Sequence, residues 1–411
     1  MNTWIVNGRV LCPATGVDAQ GGVEISGDTI AAVHEGAVTP PAGATVIDAR
    51  GALVCPAFVD MHCRLGEPGE EHKEDLETGG RAAARGGFGT VCPAADTQPT
   101  NDTRSVTEHL VRRAMDLGTV RVRPVAALTK GCEGLRLTEM FDLREAGAVA
   151  FGDGAHAIAD AALLRRGLEY ARAVGLPVFE YPEDARLAHK GVMHEGEVAT
   201  RLGLKGVPAA AEDIIVLRTI ALAELTGARV HLGPISTRGA VRAIRRAKDA
   251  GIAVSCAVTA AHLHLTDAKV AEAFDTNLRV RPPLRPQADV DALHEGLRDG
   301  TIDAVTSGHS PQSAVEKAVE FGIAEPGILG LETTLGLLLR LVDAEVLTLA
   351  DAIARLTSGP ASALGIDAGR LAAGTPADVT VVDLDARVRI EPSTLASRSR
   401  NTPFKIGRAH V

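Results

Sequence analysis

A (β/α)8 barrel carrying a small β-module built from both chain ends is what the sequence predicts, on three observations. Between about residues 55 and 365, apolar strand-like runs alternate with helical stretches about eight times, the signature of a parallel barrel core. Short strands separated by turns fill the first 54 residues, and a similar pattern returns at Gly374–Val388. A chain of 411 residues also suits a barrel of roughly 250 residues or more plus an appended module.

Taken in order, TWIVNGRVLC, GGVEISGDTIAAVHEG and ATVIDARGALVCPAFVD read as strands, with Asn7-Gly8 and Gly27-Asp28 as hairpin-turn candidates. Barrel strands follow in GTVCPA, VRVRPVAAL, GAVAFGD, GLPVFEY, ARVHLGPIST, GIAVSCAVT and IDAVTSGHS. Helical patterns lie between them at Ala161–Ala173, Ala211–Thr226 and Gly239–Asp249. ADVTVVDLD, rich in β-branched residues, is a strand that rejoins the module. The expected division is a composite module of 1–54 and 366–404, a barrel of 55–365 and a tail of 405–411. KIGRAHV, the tail, matches the translation of a common sequencing-adapter stretch. It is expected to be non-native and poorly packed, with the native chain continuing past Phe404 in a further strand.

Apolar residues at 45% and charged residues at 23% are ordinary for a globular protein. The net charge of −9 argues against a nucleic-acid or anionic-membrane surface. No apolar run reaches transmembrane length, and MNTWIVNGRV lacks a signal-peptide pattern, so a cytoplasmic location is expected. The six cysteines form no C-x-x-C, which indicates neither a disulfide framework nor a thiolate zinc site.

Chemistry in such barrels sits at the C-terminal ends of the strands. The most informative of these is FVDMHCRLGEPG at Phe58–Gly69. A strand ending Asp-x-His-x-His puts two imidazoles on one side of the strand, where both can face one zinc. Here Asp60 and His62 are present and Arg64 stands at the second imidazole position. A guanidinium has no lone pair to donate. At about 5 Å and an effective dielectric near 20, its repulsion of a divalent cation is on the order of 6 kcal/mol.

The chain resembles the cyclic amidohydrolases, and specifically the class I dihydroorotases, through FVDMHCRLGEPG, ALTKG, FGDG, EDARL, HLGPIST, RVRPPLR, TSGHSP, GILGLETTLGLLL and GRLAAGTPADVTVVD in order. The resemblance implies a two-metal barrel that opens or closes a cyclic amide in pyrimidine synthesis. By the same resemblance, His62 and Asp153 are surviving metal-ligand positions, and ligands are lost at Arg64, Tyr181 and Pro234. The acidic general base is replaced by Gly308, and substrate-binding positions are lost at Gly66, Arg281 and Asp96. No catalytic residue and no cofactor is therefore expected. The implied role is that of the non-catalytic dihydroorotase-like subunits that some bacteria assemble with aspartate transcarbamoylase, in an oligomer. The alternative is a zinc-dependent hydrolase with a rearranged mononuclear site using His62, Asp153 and a third ligand; a small-molecule sensor is a third class.

Other residues have plainer readings. Asp153 is expected to pair with Arg64 as a buried ion pair. His231 reads as structural, and His262 and His264 as a loop pair without acidic neighbours to complete a metal site. His309 and Lys130 are given no chemical role.

Overall fold

The computed structural model describes residues 2–404 and 407–410. Eight barrel strands follow in chain order: β1 (Phe58–Cys63), β2 (Phe88–Pro93), β3 (Arg121–Val122 and Val125–Ala126), β4 (Ala150–Phe151), β5 (Val178–Glu180), β6 (Val230–Leu232), β7 (Val254–Thr259) and β8 (Ala304–Thr306). Each pairs in parallel with its neighbours or is tied to them by single bonds. Pro124 interrupts β3, since it has no N–H to give the ladder. The ring closes from β8 back to β1 through the Cys63–His309 bridge and the bond from Arg64 N to His309 O at 2.8 Å.

The surrounding helices begin and end where local chemistry dictates. Asp75 caps Leu76–Arg85, accepting from Thr78 N at 2.7 Å, and Thr78 Oγ1 accepts from Asp75 N in return. Asp160 caps Ala161–Val174 through Ala162 N and Leu163 N, and Gly175 ends that helix at φ 86°. Thr237 caps Arg238–Asp249. Ala161–Val174, Ala210–Thr226 and Arg238–Asp249 match the sequence expectation to within a residue at each end. The main core fills the shell between strands and helices, from Phe58, Phe88 and Phe151 to Leu338 and Leu356.

The module is one sheet with Asn2–Cys12 at its centre. Val17–Ser26 and Thr29–Glu35 add antiparallel strands on one side, joined at the expected Gly27-Asp28 turn. Thr45–Asp48 and Leu53–Pro56 run parallel to Asn2–Cys12, and Val379–Val388 pairs antiparallel with Leu53–Pro56. Asn7-Gly8 is not a hairpin turn. The pair forms a bulge inside one continuous strand, where Asn7 (φ 58°) donates to Asp48 Oδ1 at 3.0 Å. A Cβ on Gly8 would meet Val54 Cγ2 at 2.4 Å, so the close parallel neighbour requires glycine there.

Two further placements differ from the sequence expectation. Residues 395–404, assigned to the module, lie instead against the barrel mouth, where Ser397 and Arg398 bind Glu74 and Asn401 binds Ser310 and Gln312. Within the tail, Gly407–His410 is a strand pairing antiparallel with Val379–Val388, so the module edge has the partner it was expected to lack. Lys405, Ile406 and Val411 lie outside the described residues.

Candidate functional site

The C-terminal strand ends surround a cavity of about 300 Å3. Its wall brings together His62 within β1 and Arg64 just after it, Asp96 after β2, Gly154 after β4, Tyr181 after β5, Pro234 after β6, His262 after β7 and Gly308 and His309 after β8, with Arg281 reaching in from a loop. Of the nine positions to which the resemblance gave a metal, catalytic or substrate role, seven are thus on this wall. Asp153 sits just behind it and Gly66 in the loop beyond.

The Arg64–Asp153 ion pair expected from sequence is not formed. Arg64 Nη2 donates to Asp96 Oδ2, and the two form an ion pair. Burial opposes ionisation of Asp96, but the adjacent Arg64 charge outweighs it and holds the carboxyl below the usual range. Asp153 instead accepts from Thr129 N at 2.9 Å and from Thr129 Oγ1. Burial pushes that carboxyl up, with the Thr129 bonds opposing. Its two oxygens are turned to the loop after β3, so its chemistry is that of a satisfied buried carboxyl.

Arg281 donates to Glu183, and its guanidinium carbon lies 5.6 Å from the centroid of the Tyr181 ring. Tyr181 is 7% exposed, and burial raises its phenol well above the ordinary value, so it is protonated. Its hydroxyl and His62 Nε2 have no hydrogen-bond partner among the described residues. Burial, and secondarily the Arg64 charge, bring His62 down to about 4, which leaves it neutral near pH 7.

Gly66 and Gly308 show why lost side chains are not simply restored. Gly66 has φ +68°, and a Cβ there would meet Glu74 O at 2.2 Å. Gly308 has φ +58°, and a Cβ would meet Thr259 Cγ2 at 2.7 Å. His262 is structural: its Nε2 donates to Pro282 O at 2.9 Å, so its Nδ1 accepts from Thr259 Oγ1 at 2.6 Å. His264 likewise donates to Leu337 O, and His231 is buried with Nδ1 on Ser255 Oγ at 2.9 Å.

The donor set does not fit the zinc pair that the resemblance implies. Zinc in proteins takes three or four N, O or S donors. Of the family positions only His62 offers an open donor atom. Arg64 and Arg281 are cations, Tyr181 is a protonated phenol, and Pro234 and Gly308 have nothing to donate. Among the described residues no group of three or more His, Cys, Asp or Glu is arranged to hold a metal.

Sequence reasoning missed Glu74, which is buried and lies 3.4 Å from His309 Nε2. It also missed the fully buried pair of Glu212 and Arg285, which joins the ends of β6 and the loop after β7. For Asp96 a signal existed: it and Arg64 are both departures, of opposite charge.

Comparison with known proteins agrees with this architecture. A family model described as dihydro-orotase-like matches residues 51–240, and one described as an amidohydrolase family matches 331–404. A dihydroorotase of Anaeromyxobacter sp. (strain K) is 50% identical over 403 residues, covering 98% of this chain and 93% of that protein. One from Syntrophotalea carbinolica is 46% identical over 404 residues, covering 98% and 94%. Among solved structures, the L-hydantoinase (dihydropyrimidinase) of Arthrobacter aurescens aligns with a TM-score of 0.88 at 22% identity, covering 99% of this chain and 93% of that one. The dihydropyrimidinase of Brevibacillus agri aligns at 0.82 and 21%, covering 100% and 93%. At those identities the structures speak for the fold alone.

Proposed function

The chain belongs to the dihydroorotase-like amidohydrolases, and from that premise we propose that this member keeps the barrel without the hydrolytic chemistry. It acts as a structural partner that supports assembly of aspartate transcarbamoylase. The observation that carries the first half is the Arg64–Asp96 ion pair on the cavity wall, with Arg281–Glu183 beside it. Ring opening in such a barrel needs an activated water and a group to move its proton. Arg64, Tyr181, Pro234 and Gly308 supply neither. The partner is supported by the resemblance of the chain to non-catalytic subunits of that enzyme, a family-level warrant.

Co-expression with an aspartate transcarbamoylase catalytic chain, followed by size-exclusion chromatography and assay of both ring directions, tests the proposal. A stable complex with no dihydroorotase turnover is expected. Separate elution at micromolar concentration would remove the partner, and turnover would remove the loss of chemistry.

A second reading is a metal-dependent cyclic amidohydrolase with a rearranged site. The names of its relatives support it, as does the unpartnered Nε2 of His62 on the cavity wall. Elemental analysis of purified protein separates the two, since this reading alone needs stoichiometric metal.

A further inference from the structure

Four charged groups meet at the barrel mouth from distant points in the chain: Arg64, Asp96, Glu183 and Arg281. Arg64 carries its guanidinium from the end of β1 to Asp96 beyond β2. The same Asp96 oxygen lies 3.4 Å from Ala155 N, beyond β4. One guanidinium–carboxylate contact therefore ties three strand ends. Arg281 repeats the device on the other side, joining the loop after β7 to Glu183 and covering Tyr181 beyond β5.

We propose that Arg64 is a built-in counter-cation, a positioning residue whose guanidinium neutralises Asp96 and cross-links the mouth so that the folded barrel needs no bound ion there. Asp96 is a side chain only 18% exposed, where an unpaired carboxylate is costly. A bound ion would offset that cost only where its free concentration exceeds its dissociation constant. A tethered guanidinium is always present and always charged. Its fork also fixes direction: one Nη takes Asp96, and the planar group is held against the wall shared with Tyr181 and Arg281. The inference stands apart from the proposed partner, because it concerns the isolated chain.

Thermal unfolding of the full chain tests it through a reversal of sign. In the native background, Asp96→Asn should lower Tm, because it strips Arg64 of its carboxylate. In an Arg64→Ala background the same change should raise Tm, because it removes an unpaired buried charge. Arg64→Ala alone should lower Tm by roughly 5 °C, and millimolar methylguanidinium should return part of the loss. EDTA should leave the native Tm unchanged. A fall in Tm on Asp96→Asn in both backgrounds, or a native Tm that drops on adding EDTA, would overturn the proposal. Should Arg64→Ala yield no folded protein, soluble Arg64→Ala/Asp96→Asn protein supports it and an insoluble double variant overturns it.

Discussion

His62 and His231 stack inside the barrel with ring centroids 5.4 Å apart and planes at 28°, and neither Nε2 has a hydrogen-bond partner among the described residues. Phe179 packs against both rings. The pair is compatible with neutral imidazoles only, since two imidazolium rings could not stack in an apolar shell.

Protonation in acid should therefore destabilise the protein through these rings. Burial, then the Arg64 charge, bring His62 down to about 4, and burial holds His231 well below its ordinary value. In the unfolded chain both titrate near 6.5. Between about pH 6.5 and 4 these imidazoles bind protons in the unfolded chain that the folded one refuses, so their contribution to stability rises with pH through this window, against the opposite contribution of Glu180, which burial raises to about 8. His62 alone should account for about 3 kcal/mol between pH 7 and 4. Urea midpoints measured from pH 7.5 to 4 should show the fall, and His231→Phe should flatten it. A pH profile of His231→Phe parallel to that of the native chain would refute the assignment.

Returning the acidic base should harm the fold rather than help chemistry. Gly308→Asp puts a side chain at φ +58° with its Cβ 2.7 Å from Thr259 Cγ2. A loss of about 2 kcal/mol is expected, with no ring-opening activity, because groups that act as a unit are not restored singly. Arg64→His should be equally silent in the assay. Turnover from either variant alone would show that a complete site already surrounds it.

Breaking the buried pair behind β6 should be among the most damaging single changes. Arg285 and Glu212 are each 2% exposed and 3.4 Å apart, and Glu212 also accepts from Ser236 N and Thr237 N. Arg285→Met leaves that carboxylate without its cation and should cost about 3–5 kcal/mol by denaturant titration. A cost under about 1 kcal/mol would mean that the backbone donors suffice.

Glu74 should control how firmly residues 395–404 hold the mouth. It accepts from Ser397 Oγ and Arg398 N, and from Thr78 Oγ1 at the start of the helix Leu76–Arg85. Glu74→Ala should speed amide exchange in 395–404 far more than in β1 or β8. Uniform acceleration throughout the barrel would assign Glu74 to global stability instead.

Much of the site was legible as a set of positions and little of it as a set of contacts. The motifs located His62, Arg64, Asp96, Tyr181, Pro234, Arg281 and Gly308, all of which line one cavity. They could not choose Asp96 over Asp153 as the partner of Arg64. Asp96 follows β2, which runs beside β1, whereas Asp153 follows β4, which pairs with β3 and β5, and its carboxyl is turned toward Thr129. Nor could they show that Gly66 and Gly308 are backbone requirements, since a positive φ is a property of the folded path.

By itself the sequence determined the barrel, its helices and the loss of donor atoms at the strand ends. Periodicity and capping act within a turn or two of the chain, and a residue type carries its donors wherever it lies. Tertiary structure alone decided which charges neutralise one another. Arg64 and Asp96 stand 32 residues apart, and Arg281 and Glu183 stand 98 apart. Coulombic attraction between such groups depends on separation and burial, and neither exists until the strands have closed into a ring.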